Sequence, residues 1–153
     1  PTPGIEQAPV RRSGQGSGGD ELILYTDGGS RGNPGPAGYG VVLQDRGGAT
    51  VAELSDSIGR ATSNEAEYRG LIAGLAAARE RGARRLRIRA DSELLIRQIS
   101  GRYKVRSPRL APLHRQVMEL LSAFSAWQAE HIPRERNSRA DALANEAMDR
   151  ARH

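Results

Sequence analysis

The sequence contains no cysteine. Disulfides, thiolate metal sites and a cysteine nucleophile are therefore excluded. No stretch approaches the roughly 20 apolar residues that a membrane-spanning helix needs, and the stretch from Pro1 to Asp20 lacks the apolar core of a secretory signal. There is no phosphate loop of the G-x-x-x-x-G-K-S/T kind and no internal repeat. A cytoplasmic location without a membrane partner fits these absences. The 153 residues that are present suffice for one domain with a real core. Lys and Arg number 23 against 18 Asp and Glu, a net charge of +5. Residues 1–19 contribute only +1 of this, which leaves the body basic by about +4. A basic body suits a polyanionic partner such as nucleic acid; an Arg-rich composition with no partner gives the same count.

Residues 1–20 read as a disordered tail or linker, because the run Ser13 to Gly19 has flexible-linker composition. From Glu21 the text becomes structured, and residues 21–153 read as one domain. Leu22 to Asp27 reads as a strand with apolar residues on both parities, hence buried on both faces. A Gly/Pro loop is expected from Gly28 to Gly38, then strands over Tyr39–Gln44 and Thr50–Ile58, completing a three-strand meander. Thr62, with Glu65 three residues on, forms a capping-box pattern opening a helix whose apolar stripe is Leu71, Ile72, Leu75 and Ala78, ended by Gly82. Arg84 to Asp91 alternates Leu86, Ile88 and Ala90 with Arg85, Arg87 and Arg89, a half-buried strand. Helices follow over Ser92–Ile99 and Arg109–Phe124, then a strand over Trp127–Ile132 and a last helix capped by Asn137. Trp127 is read as core. The order βββαβααβα predicts an α/β layer fold with a mixed sheet.

Four carboxylates stand where a solvated charge is not expected. Asp27 and Asp91 each end a strand, the place where open α/β sheets form sites. Glu67 shares a helix face with Leu71, Gly74 and Ala78, and Asp141 lies beside Ala140 and Ala144. Taken singly, each has an ordinary explanation as a turn residue or a helix-dipole charge. Together they conflict, since two unit charges about 4 Å apart repel by roughly 4 kcal/mol at an effective dielectric near 20. Either they are spread apart, or a divalent cation holds them together, and all-oxygen ligation points to Mg²⁺ or Mn²⁺.

The joint context is specific. The segments Thr26–Gly40, Thr62–Tyr68, Asp91–Ile99 and Asn137–Ala144 resemble, in the same order, the four acidic motifs of type 1 ribonucleases H. The likeness covers about residues 21–150 and is nearest to the bacterial and archaeal branch with a Pro-Arg-Glu segment, here Pro133-Arg134-Glu135. The resemblance implies a ribonuclease H-like catalytic domain with a five-stranded mixed sheet of order 3-2-1-4-5 and helices on both faces. It implies an endonuclease that cuts the RNA strand of RNA–DNA hybrids and leaves 5′-phosphate and 3′-hydroxyl ends. Asp27, Glu67, Asp91 and Asp141 would be the metal-binding catalytic set for two ions, Mg²⁺ or Mn²⁺.

By motif match, Ser30, Asn33, Ser63 and Asn64 fall where the family contacts the RNA strand, whose 2′-OH distinguishes it from DNA. Gly28 and Gly29 let the backbone approach closely. Glu93 departs from a family Gln; its carboxylate can accept from a 2′-OH but cannot donate. Assistance to product release, given in relatives to a mobile His, falls to either Arg134 or His131. The basic protrusion of some relatives is missing, yet Arg102, Lys104, Arg106 and Arg109 surround Tyr103, a cluster suited to the phosphates of the DNA strand. A monomer is expected. The competing reading is a binding module of the same fold that has lost its chemistry.

Overall fold

The computed structural model describes residues 20–151. The expected tail, residues 1–19, lies outside them. Asp20, which composition grouped with that tail, is tied into the sheet: its carbonyl accepts from the amides of Arg84 and Arg85. The elements are β1 (Glu21–Ser30), β2 (Gly35–Gln44), β3 (Thr50–Ala61), α1 (Ser63–Glu80), β4 (Arg85–Ala90), α2 (Glu93–Ile99), α3 (Ala111–Leu121), β5 (Ala126–His131) and α4 (Ser138–Ala151), with a 3₁₀ turn over Arg134–Asn137 before α4. The five-stranded sheet has the expected order β3-β2-β1-β4-β5. β1 is antiparallel to β2 and parallel to β4, and β4 is parallel to β5.

One side of the sheet carries the main core. Leu22 and Leu24 of β1, Val41 and Leu43 of β2, and Leu86 and Ile88 of β4 meet Leu71 and Leu75 of α1, with Val117 and Leu121 of α3 behind. α1 begins as its sequence dictates. Thr62 accepts from the amide of Glu65 at 3.2 Å, and Glu65 accepts from the amide of Thr62 at 2.8 Å. Two amides that no helical carbonyl could reach are thereby satisfied. Trp127 lies against this core, half-buried, as expected. None of the helices among the described residues is long and apolar enough to cross a membrane.

The other side is covered only over part of its width, because α4 lies mainly on β2 and β3. β1 is consequently not buried on both faces: Ile23 and Tyr25 are half-buried. The strand closed on both faces is β2, whose Val41, Val42 and Leu43 are all at most 2% exposed. α4 comes this close because Gly40 has no side chain; a Cβ there would collide with the Ala140 carbonyl and the Leu143 side chain.

Most of the expected Gly/Pro loop is strand. β1 runs on to Ser30 and β2 starts at Gly35, leaving a turn of Arg31 to Pro34 closed by the Arg31 amide on the Pro36 carbonyl at 2.8 Å. The glycines within the strands serve close packing, not looping: a Cβ on Gly28 would stand 2.5 Å from the backbone of Ala66 in α1. Asn137 is not the cap of α4. The 3₁₀ turn runs directly into the helix through Ser138 (φ −65°, ψ −35°), so position 137 lacks the extended backbone a cap needs. Its side chain turns inward.

Candidate active site

The parallel register fixes the heart of the site. Thr26 pairs with Ala90, so Asp27, which lies within β1 and does not end it as expected, and Asp91, just past β4, stand at the same level. Glu67 reaches the same point from the second turn of α1, brought close by Gly28. One carboxylate oxygen each from Asp27, Glu67 and Asp91 lies within 4.8 Å of the others. Asp141, in the first turn of α4, is outside that tight group but lines the same open cleft of about 350 Å³. The convergence expected of the four carboxylates is therefore tight for three and adjacent for the fourth.

The charge is poorly compensated. Asp27 is 8% exposed, and its carboxyl is pushed up to about 8 by burial first, then by the charge of Asp91, with Asp141 and Glu67 adding and the Gly28 amide opposing. Glu67 is pushed up to about 7, chiefly by burial and also by Asp91, against a stabilising hydroxyl from Ser92. The cation at the rim is Arg134, 3.2 Å from Asp141 with its side chain 73% exposed. Asp141, Asp27 and Asp91 in turn favour its charged form. The three clustered carboxylates offer hard oxygens, the ligand type Mg²⁺ and Mn²⁺ prefer.

Of the remaining expected residues, Gly28, Gly29, Ser30, Ser63 and Arg134 line the cleft. His131 ends β5 opposite Ala90, exposed and away from the cleft lining. Asn33 accepts at its side-chain oxygen from the Ser63 amide at 2.9 Å, leaving its NH₂ to donate outward. Asn64 is exposed on the first turn of α1. Glu93 is held by Arg97 at 2.6 Å, outside the cleft. Arg102, Tyr103 and Lys104 are exposed beyond α2, and the Arg97 guanidinium covers the Tyr103 ring at 5.3 Å. Arg31, Asn145 and Met148 also line the cleft and were not anticipated. Arg31 bonds Asn145 at 3.1 Å and Asp149 at 3.0 Å, fastening the β1–β2 turn to α4. Asn145 and Met148 sit four and seven residues after Asp141, a helical spacing that could have pointed to them.

A family profile described as reverse transcriptase-like matches residues 25–147. Ribonuclease HI of Halobacterium salinarum is 48% identical over 133 residues, 87% of this chain and 67% of that protein. A bifunctional protein of Mycobacterium tuberculosis is 52% identical over 132 residues, 86% of this chain but 36% of the relative's length. The chain therefore spans about a third of that relative. Its solved N-terminal RNase H domain superposes with a TM-score of 0.85 at 50% identity, covering 86% of this chain and 96% of that one. A compost-derived RNase H1, solved in complex with an RNA/DNA hybrid, gives 0.82 at 44% identity over 86% of this chain and 99% of that one. The fold and the matching family profile define a domain of the ribonuclease H-like class. Within that class, this chain belongs to the type 1 ribonuclease H family.

Proposed function

We propose that this chain hydrolyses the RNA strand of RNA–DNA hybrids at the acidic cleft, with Asp27, Glu67, Asp91 and Asp141 as the residues that hold divalent metal. The observation that carries the reading is the meeting of three carboxylates within 4.8 Å in an open cleft whose two lining arginines pair with other carboxylates, Arg134 with Asp141 and Arg31 with Asp149. The relative solved with a hybrid supports the substrate class. Two bound Mg²⁺ or Mn²⁺ ions would lower the pKa of the attacking water and stabilise the leaving oxygen of an in-line displacement, giving 5′-phosphate and 3′-hydroxyl ends.

The chain's own residues supply position and charge. Burial and neighbouring carboxylates push Asp27 up to about 8 and Glu67 up to about 7, and a bound cation would favour the charged form of both. A cation held by these carboxylates would supply the positive charge that attracts the scissile phosphate. Gly28 and Gly29 expose backbone groups to the RNA strand, and Ser30, Asn33, Ser63 and Asn64 present donors on the same rim. The free NH₂ of Asn33 suits a 2′-OH. Glu93 would accept from a neighbouring 2′-OH. Arg134, on its exposed turn beside Asp141, is placed to draw off the product phosphate; His131, outside the cleft lining, is the weaker candidate for that role. Arg102, Lys104 and Tyr103 would hold the DNA strand's backbone. A single copy of the chain carries every one of these residues.

The test is a labelled RNA–DNA duplex assayed beside single-stranded RNA, duplex RNA and duplex DNA, with and without Mg²⁺ or Mn²⁺. Metal-dependent cutting of the hybrid's RNA strand alone is expected. Tight hybrid binding with no cutting under either metal would overturn the reading in favour of a binding module.

A further inference from the structure

Asn137 is 1% exposed, and its carboxamide nitrogen donates to the Thr26 carbonyl at 2.9 Å and to Asp91 Oδ1 at 3.1 Å. Both partners are acceptors, so the NH₂ and not the oxygen must face them. That orientation strands the carboxamide oxygen, which is buried without a hydrogen-bond partner. A buried orphan of this kind is unfavourable and calls for a reason. Its position supplies one. Thr26 and Ala90 form the last parallel pair before Asp27 and Asp91, and Asn137 bridges the backbone of one strand end to the carboxylate at the other. It also closes the 3₁₀ turn that begins at Arg134 and leads into the helix bearing Asp141.

We infer that Asn137 is a positioning residue that holds the Asp91 carboxylate in place for metal, an inference that rests on the proposed metal-binding role of Asp91. One NH₂ group occupies Oδ1 of Asp91 and refers it to the β1 backbone, so the carboxylate cannot swing away from Asp27 and Glu67 to relieve repulsion. Loss of such an outer hydrogen bond typically weakens metal affinity or activity by about 10- to 100-fold.

The experiment is Mn²⁺ titration of the full chain without nucleic acid, followed by the electron paramagnetic resonance signal of free Mn²⁺, together with hybrid cleavage across a Mg²⁺ series. Asn137→Ala is expected to weaken Mn²⁺ binding by about 10- to 100-fold and to raise the Mg²⁺ needed for half-maximal cleavage, with KM for hybrid little changed at saturating metal. Asn137→Asp, nearly the same shape, is the second variant should the alanine variant fail to fold; it is also expected to bind Mn²⁺ more weakly. Val117→Ala, a core change in α3, controls for lost stability and is expected to bind Mn²⁺ as the wild type does. Wild-type Mn²⁺ affinity in a folded Asn137 variant would overturn the inference. Asp91→Asn in the same titration separates the two claims. If it too binds as wild type, the metal-site reading fails; if it loses Mn²⁺ while the Asn137 variants do not, only the role of Asn137 fails.

Discussion

β1 and β4 carry charge in two contrasting ways. Along their length, on the face α4 leaves open, three arginines of β4 alternate with core residues, and each has a carboxylate partner: Arg85 with Asp20 at 2.9 Å, Arg87 with Glu21 at 3.0 Å and Arg89 with Glu130 at 2.8 Å. Just past the end of the β1–β4 pairing, Asp27, still within β1, and Asp91 meet each other and Glu67 instead of a cation. The first region balances its own charge and needs nothing further. The second is folded against its own repulsion, and burial and neighbouring charge raise Asp27 and Glu67 well above the ordinary carboxylate range. Charge left uncompensated by the chain marks where a partner belongs.

The contrast is broken most severely by removing a cleft carboxylate. Asp27→Asn or Asp91→Asn is expected to lower single-turnover hybrid cleavage by about a thousandfold or more, since several kcal/mol of metal-borne charge stabilisation disappear. Hybrid binding should survive, and filter binding on the same preparations checks it. Next in size is the basic segment. Arg102→Ala with Lys104→Ala is expected to weaken hybrid binding and to flatten the plot of log K against log salt by about 1.8, the loss of two phosphate contacts. An unchanged slope would remove the segment from the interface.

A smaller effect is expected in pH dependence. Burial and neighbouring charge push Asp27 and Glu67 up to about 8 and about 7, from ordinary values of 3.8 and 4.5. The folded state therefore keeps protons that the unfolded state has released, and these groups make stability fall as pH rises from about 4 to about 8. Thermal unfolding of metal-free protein at pH 5 and pH 8 should show the fall, and Asp27→Asn should reduce it. The smallest effect lies on the balanced face. Arg87→Ala removes a pair whose guanidinium side is 49% exposed, and it should change stability by no more than about 1 kcal/mol and leave cleavage untouched. Urea unfolding and the cleavage assay together check this.

Much of this contrast was legible in the sequence because it rests on local patterns. The alternation from Arg85 to Ala90 announces a strand with one charged face, and Thr62 with Glu65 announces the start of the helix that carries Glu67. The motif order around Asp27, Glu67, Asp91 and Asp141 points to the cleft. What the sequence hides depends on approach across the sheet. Gly28 and Gly38 read as loop formers, yet they are strand residues against which α1 and α4 close. Asn137 reads as a helix cap because its neighbours fit one, and only the fold shows its amide on Asp91. Arg31 meets Asn145 and Asp149 across more than a hundred residues, a pairing no local pattern encodes.

Thermal unfolding near neutral pH of wild type and Asp27→Asn, each with and without Mg²⁺, bears most directly on the claim that the cleft is completed by a divalent cation. A ligand that binds only the folded state adds about 2.7 kcal/mol at a hundredfold excess over its Kd. The account predicts that Mg²⁺ raises the Tm of the wild type and that the rise is largely lost in Asp27→Asn. An equal rise in both proteins, or none in the wild type, would contradict it.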